Sequence, residues 1–450
     1  MRIQFRPLRL RRAAALAGLL LALAAGSAAA QADVPPPGGP LDVRALIARA
    51  LQLSPPQRIA DESVGVAEAQ RDASRANLLP QFGLSASQLR QTTNPATWGF
   101  SFPGLPSLIG PYSVFDARAK VSQKLLDLSA SSELAGARFG LQAAQAQAET
   151  SRERIAAQTA LAYIRVLANE ELLASAKADL DLASDLLTLS RDQRQAGIAA
   201  GIDVARAESA VAQDRYAVSE SETAIADARL QLQRLAVLPM DQALLLKGDL
   251  GSAATGNPDT SQALQAAREH RPELAAIDAS IRQADSELSA AKRRRLPTVS
   301  LVADYGISAN TPVQSEQDTY RYGAMIDLPV FSGGAIAAQE SAARHELEQQ
   351  RLQLEDMRQQ IEQDVRLALV TAANTAEQIR AAASARDLAE RELELARDRF
   401  ANGVADNTDV ITAQTSLARA RAQLIVAQAA YQQARVNLAS AQGRARQFDL

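Results

Sequence analysis

The sequence predicts a mainly α-helical protein with a small β part: very long coiled-coil helices laid out twice along the chain, with four short antiparallel strands between them. Three observations carry this reading. The composition is 47% hydrophobic but only 4% aromatic, and about a fifth of it is Ala, the best helix former and one that fills long, slim helices rather than a wide core. The order and spacing of residues recur between the two halves. Four runs alternate apolar and polar residues with a period of two, as half-buried strands do.

The 450 residues carry 48 Lys+Arg, 51 Asp+Glu, two His and no Cys. The lack of Cys excludes a disulfide scaffold, a Cys-based zinc site, an Fe–S cluster and a Cys nucleophile. It also excludes a lipid carried on Cys, so a membrane-bound form would hold by protein structure alone. The formal charge of −3 argues against nucleic acid as a partner.

At the N-terminus, Arg2, Arg6, Arg9, Arg11 and Arg12 precede an apolar run at 13–25 and small residues giving A-x-A sites at 28–30 and 30–32. This predicts a cleaved Sec-type signal over 1–32. Losing its five Arg would take the formal charge from −3 to −8. The segment 33–40, with VPPPGGP, reads as an extended tether because its Pro and Gly cannot form a regular element.

The duplication follows. Pro55 and Pro80 stand 25 residues apart, as do Pro272 and Pro297. Leu141, Ala148, Ile155, Ala162, Val166 and Leu173 recur 206 residues later as Leu347, Leu354, Ile361, Ala368, Ala372 and Ile379. Gly197 and Asp203 recur as Gly403 and Asp409. The first repeat spans 41–240 and the second 258–445, with about 11 extra first-half residues expected in 91–112. Each repeat is expected to hold a helical segment, two strands, a helix of about 70 residues (126–195 and 333–401), a Gly-containing turn and a return helix (201–238 and 408–444). At 1.5 Å per residue the long helices would each reach about 100 Å. The return helices keep apolar residues at sevens, while the long ones carry a four-residue step that relaxes a left-handed supercoil.

The strands are expected at about 81–91, 112–123, 298–308 and 320–330. In the clearest, Tyr320, Tyr322, Ala324, Ile326 and Leu328 oppose Arg321, Gly323, Met325 and Asp327. Ten aromatic residues fall in 80–125 and 296–331. Among them Trp98, Tyr112, Tyr305, Tyr320 and Tyr322 are candidates for an interfacial girdle. Runs of this length and period suit a tilted membrane-spanning strand; the alternative is a small soluble sheet. Four strands cannot close a membrane barrel, so spanning strands would require several chains to share one. A conduit favours twelve strands from three chains.

Several stretches resemble the TolC-type outer-membrane efflux protein family: Leu78-Leu79-Pro80 and Leu296-Pro297 before strands, residues 326–334 (IDLPVFSGG) leading into a long helix, and residues 399–403 (RFANG) followed by Asp409-Val410. The resemblance covers about 41–444. It implies a homotrimer in the Gram-negative outer membrane, with a twelve-stranded β-barrel continued by a periplasmic α-barrel. It implies as partners outer-membrane lipid, a periplasmic adaptor and an inner-membrane pump. It would make Gly197 and Gly403, with Arg194, Arg399 and Phe400, the adaptor-facing tips. It would put Asp409, and Asp203 in the other half, at the pore entrance as carboxylates; the alternative for both is a plain helix N-cap. Thr412 stands where a second carboxylate would complete a double ring. Within the resemblance, small-molecule efflux and type I protein secretion are both open.

No constellation for catalysis, cofactor or metal stands out. His270 and His345 lie in separate helical segments, and phosphate loops, H-E-x-x-H and nucleophile elbows are missing. The expectation is a channel, not an enzyme, with a periplasmic coiled-coil structural protein as the rival. The run Lys292-Arg293-Arg294-Arg295 before Pro297 reads as a contact for anionic head groups.

Overall fold

A computed structural model describes residues 39–95, 107–197, 199–251, 259–312, 317–402, 404 and 406–450. The signal segment, most of the tether, Trp98 and Gly403 lie outside the described residues. From Pro40 onward the chain forms one compact unit.

Each half begins with two helices separated by a proline step. Helices α1 (Val43–Leu53) and α2 (Pro55–Ala76) meet at Ser54; α5 (Thr260–His270) and α6 (Pro272–Arg293) meet at Arg271. Pro at the first helical position has no N–H to leave unsatisfied, so it ends one helix and starts the next. Strands β1 (Gln81–Thr93) and β2 (Ile109–Leu126) follow in the first half, β3 (Thr298–Ala309) and β4 (Gln317–Asp327) in the second. The long helices are α3 (Leu128–Gln195) and α7 (Ala335–Ala401), the return helices α4 (Gly201–Ala236) and α8 (Asn407–Ala441). Asp127 caps α3 by accepting from the Ala130 N–H at 2.9 Å, satisfying a donor the helix cannot.

The four strands form one antiparallel sheet in the order β1-β2-β3-β4. β1 and β4 are its open edges. Helix α3 packs against α2, α4, α6 and α8, and α7 against α5, α6 and α8. One side of the unit is therefore bounded by β1, α2 and α4, and the other by β4 and α7.

The largest core cluster sits midway along α3, where Tyr163, Ile164 and Val166 meet Leu46, Leu232 and Val436. The Tyr163 hydroxyl lies against the carbonyls of Leu41 (3.0 Å) and Lys247, tying α3 to the bridge between Leu41 and Leu246. Burial pushes the Tyr163 phenol up to about 12. A raised folded value means that the phenol favours folding below the ordinary pKa of about 10, and that this contribution is lost as pH rises from there toward 12. Tyr163→Phe is expected to cost about 1 kcal/mol and to flatten this alkaline loss, read as thermal unfolding in detergent between pH 8 and 12.

Candidate functional site

The two faces of the sheet differ sharply. In register, Leu84, Ala119, Tyr305 and Tyr320 form one row, and Phe82, Val121, Ala303 and Tyr322 the next. Opposed residues share a face and i, i+2 residues continue it, so Leu301, Ala324 and Ile326 extend this apolar surface. It is bare in the single chain: Phe82 is 80% exposed and Tyr322 77%. Tyr320 and Tyr322 stack with ring centroids 6.2 Å apart.

The opposite face is charged. Gly83, Lys120, Asp304 and Arg321 form one row; Ser85, Arg118, Gly306 and Thr319 form another. Asp304 accepts from Arg118 Nη1 at 2.7 Å and from Arg321 Nε at 2.9 Å. Arg118 also pairs with Asp116 at 2.7 Å and donates to Thr319 Oγ1 at 3.1 Å. Nothing in the composition singled out this network. The signal available was the charges at alternate positions of β2, β3 and β4. Tyr112 belongs to this face, because it keeps the parity of Asp116 and Arg118 along β2; its hydroxyl meets Thr93 Oγ1 at 2.6 Å and Gln91 Nε2 at 3.1 Å. It therefore lies on the face opposite to Tyr305, Tyr320 and Tyr322, which stand together on the apolar one.

An apolar exposed face, a polar opposite face and two unpaired edges suit a sheet with lipid on one side and water on the other, closed by neighbouring copies. Among the described residues no helix is long and apolar enough to cross a membrane.

The far ends of the long helices hold the other candidate residues. Gly197 (φ +77°) turns the chain out of α3 in a left-handed conformation that suits Gly. Asp203 and Asp409 both occupy the third position of their helices, so neither is the N-cap. Asp203 accepts from the Ala200 N–H at 3.0 Å. In the second half Asp406 caps α8, accepting from the Thr408 N–H at 2.9 Å, and the Thr408 hydroxyl and N–H hold its carboxyl below the usual range. Asp409 is half exposed and pairs with Arg399 at 3.3 Å. Thr412 donates back to the Thr408 carbonyl at 2.8 Å.

Phe400 is 6% exposed and packs among Leu393, Val410, Ala413 and Leu417. It stabilises the tip from within and offers no contact surface, a correction that its sevenfold spacing from Leu393 could have signalled. Arg194, in the equivalent turn of the first half, is exposed. The sequence reading missed the tie between the two tips. Arg206 donates to Thr408 Oγ1 at 2.9 Å and lies 3.7 Å from Asp203 and 3.9 Å from Asp406. Buried Asn407 donates to the Asp203 carbonyl at 2.7 Å.

The basic run at the end of α6 is also occupied. Arg293 donates to Ser132 at 2.8 Å, Arg294 pairs with Glu133 at 3.1 Å and Arg295 with Glu340 at 2.5 Å. It braces α6 against α3 and α7 beneath the sheet. His270 lies near Arg444. Among the described residues no cluster of His and carboxylates could hold a metal.

The sequence profile of the outer membrane efflux protein family matches residues 46–236 and 263–444. The chain belongs to that family. Its relatives include the proteases secretion protein PrtF of Dickeya chrysanthemi, 28% identical over 49% of this chain and 47% of PrtF. The chain thus spans about half the length of PrtF in that match. CyaE of Bordetella pertussis is 26% identical over 72% of this chain and 68% of CyaE. The probable efflux pump outer membrane protein TtgC of Pseudomonas putida is 26% identical over 86% of this chain and 79% of TtgC. In fold, the chain is similar to the CmeC outer membrane channel of Campylobacter jejuni (TM-score 0.78, 18% identity, 90% of this chain and 86% of CmeC). It is also similar to VceC of Vibrio cholerae (TM-score 0.76, 20% identity, 89% and 96%). Members of the family are trimeric outer-membrane channels working with adaptors and inner-membrane pumps, so this is a channel protein of the outer membrane.

Proposed function

We propose that the protein is the exit duct of a tripartite efflux pump, a homotrimer whose twelve strands close one barrel and whose helices extend it as a tunnel into the periplasm. It is passive; direction and energy come from the pump. The observation that carries this reading is the sheet: an apolar face for outer-membrane lipid, a charged face for a water-filled lumen, and unpaired edges for neighbouring copies. Small toxic molecules are the proposed cargo, and the likeness to TtgC over most of both chains supports that class. Protein secretion is the second reading, motivated by the likeness to PrtF and CyaE. Deleting the gene separates the two. Efflux predicts lowered resistance to toxic compounds with an unchanged set of secreted proteins; the reverse pattern refutes efflux. The signal 1–32 is proposed to be removed after Ala30 or Ala32, which N-terminal sequencing of the outer-membrane protein checks.

The tips are proposed as the gated, adaptor-facing end. Arg206 bridges the start of α4 to the start of α8, so the tie must loosen if the two tips move apart. Arg206→Ala is expected to raise single-channel conductance in planar bilayers, and unchanged conductance refutes the tie as part of the gate. Three copies of half-exposed Asp409 in a narrow entrance would favour cations. Asp409→Asn is expected to lower cation preference in the same recordings; an unaltered reversal potential removes Asp409 from the entrance.

A further inference from the structure

The charges on the polar face of the sheet are not all paired. Its cations are Arg118, Lys120, Lys124 and Arg321, and its acids are Asp116, Asp304 and Asp327, all of one parity in the register of β2, β3 and β4. Arg118 holds Asp116 and Asp304, each at 2.7 Å, and Arg321 holds Asp304 at 2.9 Å. These four side chains form a closed group of two cations and two acids. Lys124 reaches Asp127, the cap of α3, at 2.8 Å. Among the described residues, Lys120 is the one cation of this face with neither an ion pair nor a hydrogen bond.

The surroundings of Lys120 keep its ammonium open. Its row holds Gly83 on one side, and Asp304 followed by Arg321 on the other. Gly83 sets no side chain over it, and a Cβ there would meet nothing within 4 Å. Asp304 is turned to its two guanidinium groups, and with a side chain only 6% exposed it has little surface left for a third cation. Lys120 itself is exposed. The remaining acid, Asp327, stands six residues along β4 from Arg321 of the Lys120 row. At ~3.4 Å per residue that is roughly 20 Å along the strand, well beyond a Debye length of about 8 Å at physiological salt.

We propose that Lys120 is an anion-binding residue of the exit lumen, and that its three copies form one site there for the carboxylate, sulfonate or phosphate groups of organic anions among the cargo. The proposal rests on the reading of the protein as a trimeric duct and names a class of cargo for it. Twelve strands ~4.8 Å apart and tilted by ~40° enclose a backbone cylinder roughly 24 Å across. A lysine side chain extends about 6 Å from its Cα, so each ammonium ends about 6 Å from the axis. An anion on the axis then lies within a Debye length of all three, while the acids nearest this level are held by Arg118 and Arg321.

The residue types fit this division of labour. The forked guanidinium groups of Arg118 and Arg321 serve where geometry is fixed, in bridges to Asp116 and Asp304. The ammonium of Lys120 is a compact, strongly hydrated charge on a flexible stem. It attracts anions without demanding one orientation and holds them weakly enough to let them leave, as conduction requires. The conduit then has opposite preferences at its two ends, for cations at Asp409 and for anions at Lys120.

Benzenehexacarboxylate, a polyvalent organic anion, is the probe, applied to the full-length protein in planar bilayers. It is expected to block the wild-type current, and Lys120→Gln is expected to raise the half-blocking concentration at least about tenfold, as the screened attraction of three charges requires. Lys120→Arg keeps the charge and is expected to stay within about twofold of wild type. Gly83→Glu sets a carboxylate beside Lys120 in the same row, is expected to weaken the block likewise, and serves if Lys120→Gln disturbs assembly. Native mass spectrometry of the same preparations gives the oligomeric state. Trimeric channels whose wild type is not blocked, or whose Lys120→Gln and Gly83→Glu variants are blocked as strongly as wild type, overturn the site and leave the duct standing. A monomer overturns both, because lysines of separate chains then share no lumen.

Discussion

Replacing Gly306 with Val is expected to remove the protein from the outer membrane as an oligomer and to reduce efflux to the level of a deletion. A Cβ at Gly306 would stand 2.7 Å from Arg118 Cγ and 2.8 Å from Arg118 Cα, and closer still to the Ala117 carbonyl oxygen. These are largely atoms of the neighbouring strand's backbone, so no rotamer change relieves the contact and β2 must part from β3. That ladder joins the first-half strands to the second-half strands, from the Phe115–Ala309 pair to the Leu126–Val299 pair. An opened ladder in lipid leaves backbone groups unsatisfied at several kcal/mol each. Gly83→Ala and Gly323→Ala are the controls, since a Cβ at either meets nothing within 4 Å. Both should assemble as wild type. A Gly306→Val protein recovered at normal level as a heat-resistant oligomer would refute the close approach.

Asp304→Asn is expected to weaken the barrel and to shift the channel toward anions. Asp304 is the shared acceptor of Arg118 and Arg321, and its side chain is the most enclosed of the three. Asn keeps the shape but loses the charge, leaving two guanidinium groups beside each other with Asp116 as the remaining carboxylate. Charge-assisted bonds of this kind are stronger than neutral ones, and the exposure of Arg321 weakens its share. Asp116, Arg118, Lys120, Asp304 and Arg321 together carry a net +1 on the polar face, which becomes +2 in the variant. Both readouts are direct: a lower temperature for dissociation of the oligomer, and a reversal potential displaced toward chloride in asymmetric salt. Unchanged values for both would take Asp304 out of the lumen.

Much of the channel could be read from residue order, and the errors are instructive. Alternation along β3 and β4 assigned Tyr305, Tyr320 and Tyr322 to the apolar side. Tyr112 was grouped with them by composition, although counting back by twos from Asp116 places it on the other face. Phe400 looked like tip decoration because it follows Arg399 at a turn, whereas its spacing from Leu393 continues the buried stripe. For Asp203 and Asp409 the plain N-cap was the alternative to a place at the pore entrance, and the structure excludes that alternative. The cap itself falls three residues earlier, on Asp406 in one half and on Ala200, which has no side-chain acceptor, in the other. The ties made by Arg206, Asn407 and Thr408 had no local signature, since they join residues about 200 positions apart.

The sequence by itself determined the duplication, the lengths of the helices and the two-faced character of the strands. Period, length and repetition are local properties, written into each segment and kept wherever that segment is placed. Only the tertiary structure decided that Asp304 lies between Arg118 and Arg321 and that Gly306 must be Gly because Arg118 crosses it. Those outcomes depend on register and on contacts between distant segments, where a one-residue slip would exchange every partner while leaving the hydrophobic pattern of each segment intact.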